Sequence, residues 1–232
     1  MRIFFFLSIF LAILVALFLR PQTDLAVSGW FYQTGSGFSL GQHELCLAMQ
    51  WLAFYGARIL GFILLALICY TYAKRKKVFA IDGKGWLFLF LALVIGPGLI
   101  ANGILKDHWG RARPREVTEF GGSKIFSGPL LLQDDARRNG SFVSGDASFG
   151  FFLPSFAYVA SRKRHLSRRF FWGGMGFGAL FGLCRIIMGA HFLSDVLFAA
   201  AFMLLTSAIL YALMYSRKEV TTAWRHWFFE KP

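Results

Sequence analysis

Polar residues in this 232-residue chain are gathered into a few short clusters, and six long blocks of apolar side chains separate them. The blocks cover residues 3–19, 45–72, 86–105, 147–160, 170–188 and 196–215. None shows the two-residue alternation of a half-buried strand, and a helix satisfies its own backbone groups where lipid offers no partner. Roughly 20 helical residues cross about 30 Å of hydrocarbon. The pattern therefore predicts an all-α, polytopic membrane protein with six transmembrane helices. The block 147–160 is short and carries Pro154, which predicts a kink. Arg20-Pro21 closes the first block without the small-residue pattern of a cleavage site, so that block reads as an anchor helix. Within the fifth, Gly174, Gly178 and Gly182 recur every four residues, a small-residue face for close helix contact.

Composition agrees with this reading: 56% of the residues are hydrophobic and only 16% charged. A net charge of +13 would suggest a nucleic-acid partner if the apolar residues were scattered, but the charge follows the connections instead. Every second connection, together with both termini, holds 15 of the 25 basic residues and three of the 12 acids. These include Arg2, Lys74-Arg75-Lys76-Lys77, Lys84, Arg162-Lys163-Arg164, Arg168-Arg169 and the tail's Arg217, Lys218, Arg225 and Lys231. The positive-inside tendency makes that face, and both termini, cytoplasmic. The charge then reports topology and attraction to anionic headgroups, and no nucleic acid is expected. Cys46, Cys69 and Cys184 lie in or beside apolar blocks, which offers neither a disulfide framework nor a metal knuckle. With no repeat and no long linker, residues 1–232 read as a single domain.

Three polar knots fall on the opposite, extracytoplasmic side. In KDHWGRARPR, after the third block, Lys106, Arg111, Arg113 and Arg115 are either a phosphate-binding set or a solvated loop offset by nearby acids. Arg137-Arg138 beside Asp134-Asp135 reads as a self-paired exposed segment, and Asn139-Gly140-Ser141 matches a glycosylation acceptor of little weight. In NGSFVSGDAS, Ser144, Gly145 and Asp146 open the fourth helix, as an anion-binding helix start or as an ordinary N-cap. In CRIIMGAHFLSD, Arg185 sits at the membrane edge. With His191 in the opening turn of the sixth helix, Asp195 shares its face and accepts an imidazole hydrogen bond; the alternative is a histidine cap with a dipole-favoured acid. Converging on one side, the knots supply a nucleophile, its orienter, cations and backbone donors. Arg58, inside the second block, lines a lipid path or pairs with a helix carbonyl or an acid for structural reasons.

At these residues the chain resembles the type 2 phosphatidic acid phosphatase (PAP2) superfamily of membrane lipid phosphatases. Lys106 with Arg113-Pro114 fits the family's first motif, and Arg185, His191 and Asp195 fit the third, with Cys184 in place of its serine. The second, Pro-Ser-Gly-His, reads Val143-Ser144-Gly145-Asp146 here, without the proline or the histidine. KDHWGRARP, SFVSGDASFGF and GAHFLSDVLF look most like the bacterial lipid A 4′-phosphatases, in which Asp likewise stands at the second-motif position.

The resemblance implies a six-helix bundle in the bacterial inner membrane, active on lipid A at the periplasmic face, without metal or other cofactor. By it His191 attacks phosphorus to give a phosphohistidine and Asp195 stabilises the imidazolium. Lys106, Arg113, Arg185, Ser144 and the amides near Gly145 hold the phosphoryl oxygens, while Arg111 and Arg115 steer the headgroup inward. Asp146, with His108 in reserve, protonates the leaving oxygen. The alternatives are a phosphatase of phosphatidylglycerophosphate, polyprenyl diphosphate or phosphatidic acid, a lipid phosphotransferase, and a transporter or binding protein for anionic lipid. The oligomeric state is not legible.

Overall fold

The computed structural model describes residues 15, 16, 19–133, 140–161, 163–216 and 220. They form a short α1 (Gln22–Gly29), the long α2 (Glu44–Lys74) and α3 (Gly83–His108), a short α4 (Gly145–Phe152), and the long α5 (Arg164–Ile187) and α6 (Leu193–Met214). The four long helices are each apolar and extended enough to cross a membrane. Among the described residues the only β pairings are isolated bridges. Each long helix contains or nearly coincides with a predicted block, because polar caps lie just outside the apolar run. Asp82, for example, accepts the Gly85 amide at 2.9 Å at the start of α3.

The block 147–160 departs from a plain span. It begins as α4, passes into a 3-10 turn at Leu153–Ser155 that contains Pro154, and resumes for one turn at Phe156–Val159. The break falls where proline removes an amide donor. This segment is the centre of the bundle: α5, α6, α3 and α2 all pack around α4, and of its residues only Asp146 is not buried. Of the first block, only Val15, Ala16 and Leu19 are described. Arg2, Arg162, the segment Asp134–Asn139 with its paired charges and glycosylation match, and the cations of the tail also lie outside the described residues.

Connectivity places the start of α2, the end of α3, the start of α4, the end of α5 and the start of α6 at one end of the bundle. The segment entering α4 is sewn to that end by backbone bonds, Gly140 to the Lys106 carbonyl at 2.8 Å and Ser144 to the Asp195 carbonyl at 3.3 Å. The described part of the basic clusters, Lys74–Lys77 with Lys84 and Lys163–Arg169, falls at the other end. Two local features tune this frame. The second half of α3, Val94–Leu105, is π-helical around Pro97, and Asn102 donates to the Pro97 carbonyl at 2.6 Å. A π turn takes in about one more residue than an α turn, so it resets the face on which Lys106 emerges. Arg58, by contrast, turns back on its own helix: its guanidinium stacks over Phe54, 3.5 Å from the ring centroid, and bonds the Phe54 carbonyl. That is the structural alternative for Arg58.

Glycine sets the closeness of α4 and α5. A Cβ on Gly174 would stand 2.4 Å from Pro154, one on Gly178 2.2 Å from the Phe151 ring, and one on Gly182 2.2 Å from Val196. The predicted small-residue face is thus the one that meets α4 and α6. We expect Gly178→Ala to destabilise the protein by about 1–3 kcal/mol through overpacking, whereas Gly173→Ala, whose Cβ would meet nothing within 4 Å, leaves the thermal midpoint in detergent unchanged or slightly raised.

Candidate active site

His191 stands in the turn between α5 and α6. At the end of α5 the Arg185 carbonyl accepts the amides of Ala190 and His191 at 3.0 and 3.3 Å. Gly189 turns the chain with φ +59, and a Cβ there would lie 2.4 Å from Phe38. Only glycine meets both demands. The imidazole is 1% exposed. Its Nδ1 lies 2.7 Å from the Ser141 carbonyl oxygen, which can only accept, so Nδ1 carries the hydrogen and Nε2 the lone pair. Burial pushes its pKa down to about 4, opposed by Asp195 and reinforced by Arg185 and Arg113. The ring is therefore neutral at pH 7.

Here the structure corrects the sequence reading. His191 precedes α6, whose N-cap is Phe192, and Asp195 Oδ2 is 3.8 Å from Nδ1, outside hydrogen-bond reach. That oxygen is occupied by the Phe192 amide at 2.8 Å and the Ser141 hydroxyl at 2.5 Å. A short carboxylate at the third helical position reaches back most readily to the N-cap amide. Ser141, which the sequence reading did not single out, orients the ring through its carbonyl, and Asp195 acts on it as a nearby charge.

Arg111 also has a different place from the one expected. It does not face arriving headgroups: its side chain has no exposure and lies among buried polar groups. Its Nε donates to the Ser127 carbonyl at 3.0 Å, one terminal nitrogen to Ser194 Oγ at 2.8 Å and Asp195 Oδ1 at 2.5 Å, and the other to Asp24 Oδ2 at 2.8 Å. Burial works against its charge, but Asp195 and Asp24 outweigh it and raise its pKa. Asp24, on α1, is fully buried and accepts the Ser194 amide at 2.8 Å and the Ser194 hydroxyl at 2.5 Å. Burial raises the Asp24 carboxyl against the pull of Arg111. All its partners are donors, as an ionised carboxylate requires.

Charge of the opposite sign also reaches the imidazole, from Arg185 and Arg113. Lys106 in the last turn of α3, Arg113 in the following loop and Arg185 near the end of α5 all feel one another and Asp146 electrostatically. Asp146 Oδ2 lies 3.2 Å from Arg185 Nε, and Lys106 Nζ lies 3.5 Å from Asn102 Oδ1. Burial lowers the Arg113 pKa, and the nearby charges of Arg115 and Arg185 lower it further. Ser144 is the N-cap of α4, fully buried, with its Oγ 3.4 Å from the Ala147 amide. At Gly145 a Cβ would stand 2.5 Å from Asn102 Oδ1, so the glycine serves close packing at this helix start. The first amides of α4 have no acceptor within their own helix. His108 is exposed, its Nδ1 bonded to the Ile104 carbonyl of its own helix at 2.9 Å.

Lys106, Arg113, Asp146, Arg185, His191 and Asp195 are therefore gathered at one end of the bundle, with Ser144 and Gly145 as the packed start of the helix between them. The sequence reading missed Asp24, Ser141 and Ser194. Asp24 gave only a weak signal, an acid in a short polar stretch 87 residues from its partner Arg111. The assembly can present a neutral imidazole lone pair to an electrophile and hold anionic oxygens beside it on Lys and Arg donors.

Residues 85–219 match the PAP2 superfamily. A lipid A 4′-phosphatase of Francisella tularensis subsp. novicida is 36% identical over 208 residues, covering 86% of this chain and 89% of that protein. A lipid A 4′-phosphatase of Rhizobium leguminosarum is 35% identical over 54% of this chain and 53% of its own length. A lipid A 1-phosphatase of Rhizobium etli is 32% identical over 55% of this chain and 51% of its own. No solved structure matches.

The buried neutral His191 generates a pH dependence of stability. Between its folded pKa of about 4 and its ordinary value of 6.5, the unfolded chain binds the proton and the folded chain does not, so stability rises with pH across that window. We expect the full contribution above pH 6.5 and a progressive loss, totalling about 3 kcal/mol, as pH falls toward 4. Thermal unfolding in detergent should show a flatter pH slope there for His191→Gln than for the unsubstituted protein.

Proposed function

The chain belongs to the PAP2 superfamily and is a lipid phosphatase, a phosphoric monoester hydrolase, and on that premise we propose that it removes the 4′-phosphate of lipid A through a phosphohistidine on His191. The observation that carries this reading is the neutral, buried imidazole, with its Nδ1 hydrogen on the Ser141 carbonyl and the cations Arg113 and Arg185 in electrostatic reach. Similarity to the Francisella protein along most of both chains supports lipid A as the substrate and the 4′ position as the site of hydrolysis.

In this mechanism Nε2 attacks phosphorus, the bond to the sugar oxygen breaks, and the phosphoryl group passes to the ring. Lys106, Arg113 and Arg185 bind the equatorial oxygens as their charge shifts, and the amides of Gly145 and Asp146, ahead of the Ala147 amide that Ser144 caps, add neutral donors. The Ser144 hydroxyl, committed to its cap, supports those amides by fixing the helix start. Asp195 faces the imidazolium formed by the transfer. Asp146 protonates the leaving sugar oxygen once a phosphate dianion that takes Arg185 for itself separates the 3.2 Å pair. Water then attacks phosphorus with the Asp146 carboxylate accepting its proton, the P–Nε2 bond breaks, inorganic phosphate leaves and the neutral imidazole is restored.

The membrane arrangement follows the same reading. The first apolar block and the broken helix centred on α4 complete six spans. The basic ends of the long helices mark the cytoplasmic side of the inner membrane, with both termini there. The site then opens at the periplasmic face, and acyl chains of the substrate remain in lipid while its phosphate enters the cationic cup.

Mass spectrometry of lipid A from cells expressing the chain should show loss of the 4′-phosphate and retention of the 1-phosphate. Loss at position 1 instead would assign the activity of the Rhizobium etli relative. His191→Ala should abolish phosphate release with folding intact. Asp146→Asn should lower kcat on lipid A by about 10²–10⁴-fold, with a much smaller loss on p-nitrophenyl phosphate, whose leaving group needs no proton. If His108→Ala rather than Asp146→Asn shows this rescue, His108 is the acid.

A further inference from the structure

The family motifs end at Asp195, but the bonded network does not. Behind that carboxylate, Arg111 and Ser194 are both held by Asp24, a residue of α1 outside every motif of the site. Asp24 Oδ2 receives one arm of the Arg111 fork at 2.8 Å and the Ser194 hydroxyl at 2.5 Å, while Oδ1 receives the Ser194 amide at 2.8 Å. The remaining Arg111 arm is thereby aimed at Asp195 Oδ1. All three charged side chains have zero exposure, so no solvent replaces a lost partner. Two carboxylates also share one guanidinium, which leaves the cluster with one negative charge in excess beside the ring that becomes cationic when phosphorus is transferred.

We propose that Asp24 is a positioning residue for phosphoryl transfer, acting through Arg111 and Ser194 to fix the Asp195 carboxylate and to keep the anionic side of His191 in charge excess. This rests on the reading of His191 as nucleophile. Its consequence differs from simple support of the fold. Substrate binds on the cationic side, to Lys106, Arg113 and Arg185, so loss of the Asp24 charge leaves ground-state binding in place. It raises the barrier for the step that puts positive charge on the ring.

The charges that face the ring are Asp195 from α6, Arg185 from α5 and Arg113 from the loop after α3, with Lys106 and Asp146 beyond them. Removing a negative charge from behind Asp195 makes the imidazole less basic, so the acid limb of kcat/KM moves to lower pH. A purely structural role would leave that limb where it is.

The test uses the full chain in detergent micelles with lipid A as substrate, comparing Asp24→Asn, Asp24→Glu and His191→Ala with the unsubstituted protein. Asp24→Asn should lower kcat by about 10–100-fold, by analogy with the loss of a partner behind a metal-bound side chain, with KM changed less than about twofold and the acid limb shifted down. Asp24→Glu, which restores the charge, should recover part of kcat and return the limb toward its original pH. Unchanged kcat in a folded Asp24→Asn protein overturns the proposal. So does an equal loss in both Asp24 variants with a lowered thermal midpoint and an unmoved acid limb. If Asp24→Asn does not fold, the Asp24→Glu limb and kcat decide between the same outcomes. Turnover surviving in His191→Ala overturns the nucleophile reading itself and this proposal with it, a result distinct from failure at Asp24 alone.

Discussion

One buried guanidinium ties the site together. Arg111 bonds Asp24 on α1, Asp195 and Ser194 at the start of α6, and the Ser127 carbonyl in the loop after α3, all without solvent. A buried ion pair gains little over a well-packed apolar core, yet removing one partner leaves an uncompensated charge that costs about 3–5 kcal/mol. The value of the arrangement is specificity. Segments far apart in the chain are forced into one register, and the turn that carries His191 is fixed by the helix start that follows it.

The imidazole sits where two opposite electrostatic environments meet. In one, Asp195 and Asp24 share a single cation; in the other, Lys106, Arg113 and Arg185 are grouped electrostatically with Asp146. Phosphoryl transfer to histidine needs both, because negative charge moves across the transferred group while positive charge appears on the ring. Burial adds a third element by keeping the ring neutral, and the Ser141 carbonyl leaves the lone pair on Nε2. Orientation and charge compensation, which the sequence reading assigned together to Asp195, are divided between a backbone carbonyl and a carboxylate.

Much of this was legible beforehand because it is local. Continuous apolar runs gave the four long helices, Pro154 marked the break after α4, and the Gly174, Gly178 and Gly182 face met α4 and α6 as the spacing implied. Short spacings singled out Lys106, Arg113, Arg185, His191 and Asp195, which the fold brings to one end of the bundle, and Ser144 caps its helix as its type suggests. What was missed is long-range. Asp24 and Ser141 have no pattern that announces a partner 87 or 50 residues away. Arg111 looked like its neighbours Arg113 and Arg115 in sequence, and only the packing of α1 against α6 separates a buried tie from a headgroup ligand. The assumption that failed, Asp195 as hydrogen-bond acceptor for the ring, failed because helix-start geometry offered that carboxylate a nearer amide.

The central claim is that a single neutral imidazole between these two environments accepts the phosphoryl group. Its most direct test is rapid acid-free quenching during turnover of lipid A, followed by peptide mapping of the protein. The account predicts a phosphoryl group on His191, labile in acid and stable in base, that forms and decays fast enough to lie on the pathway. Turnover with no phosphorylated protein under conditions that preserve phosphohistidine, or phosphate carried by another residue, would contradict it.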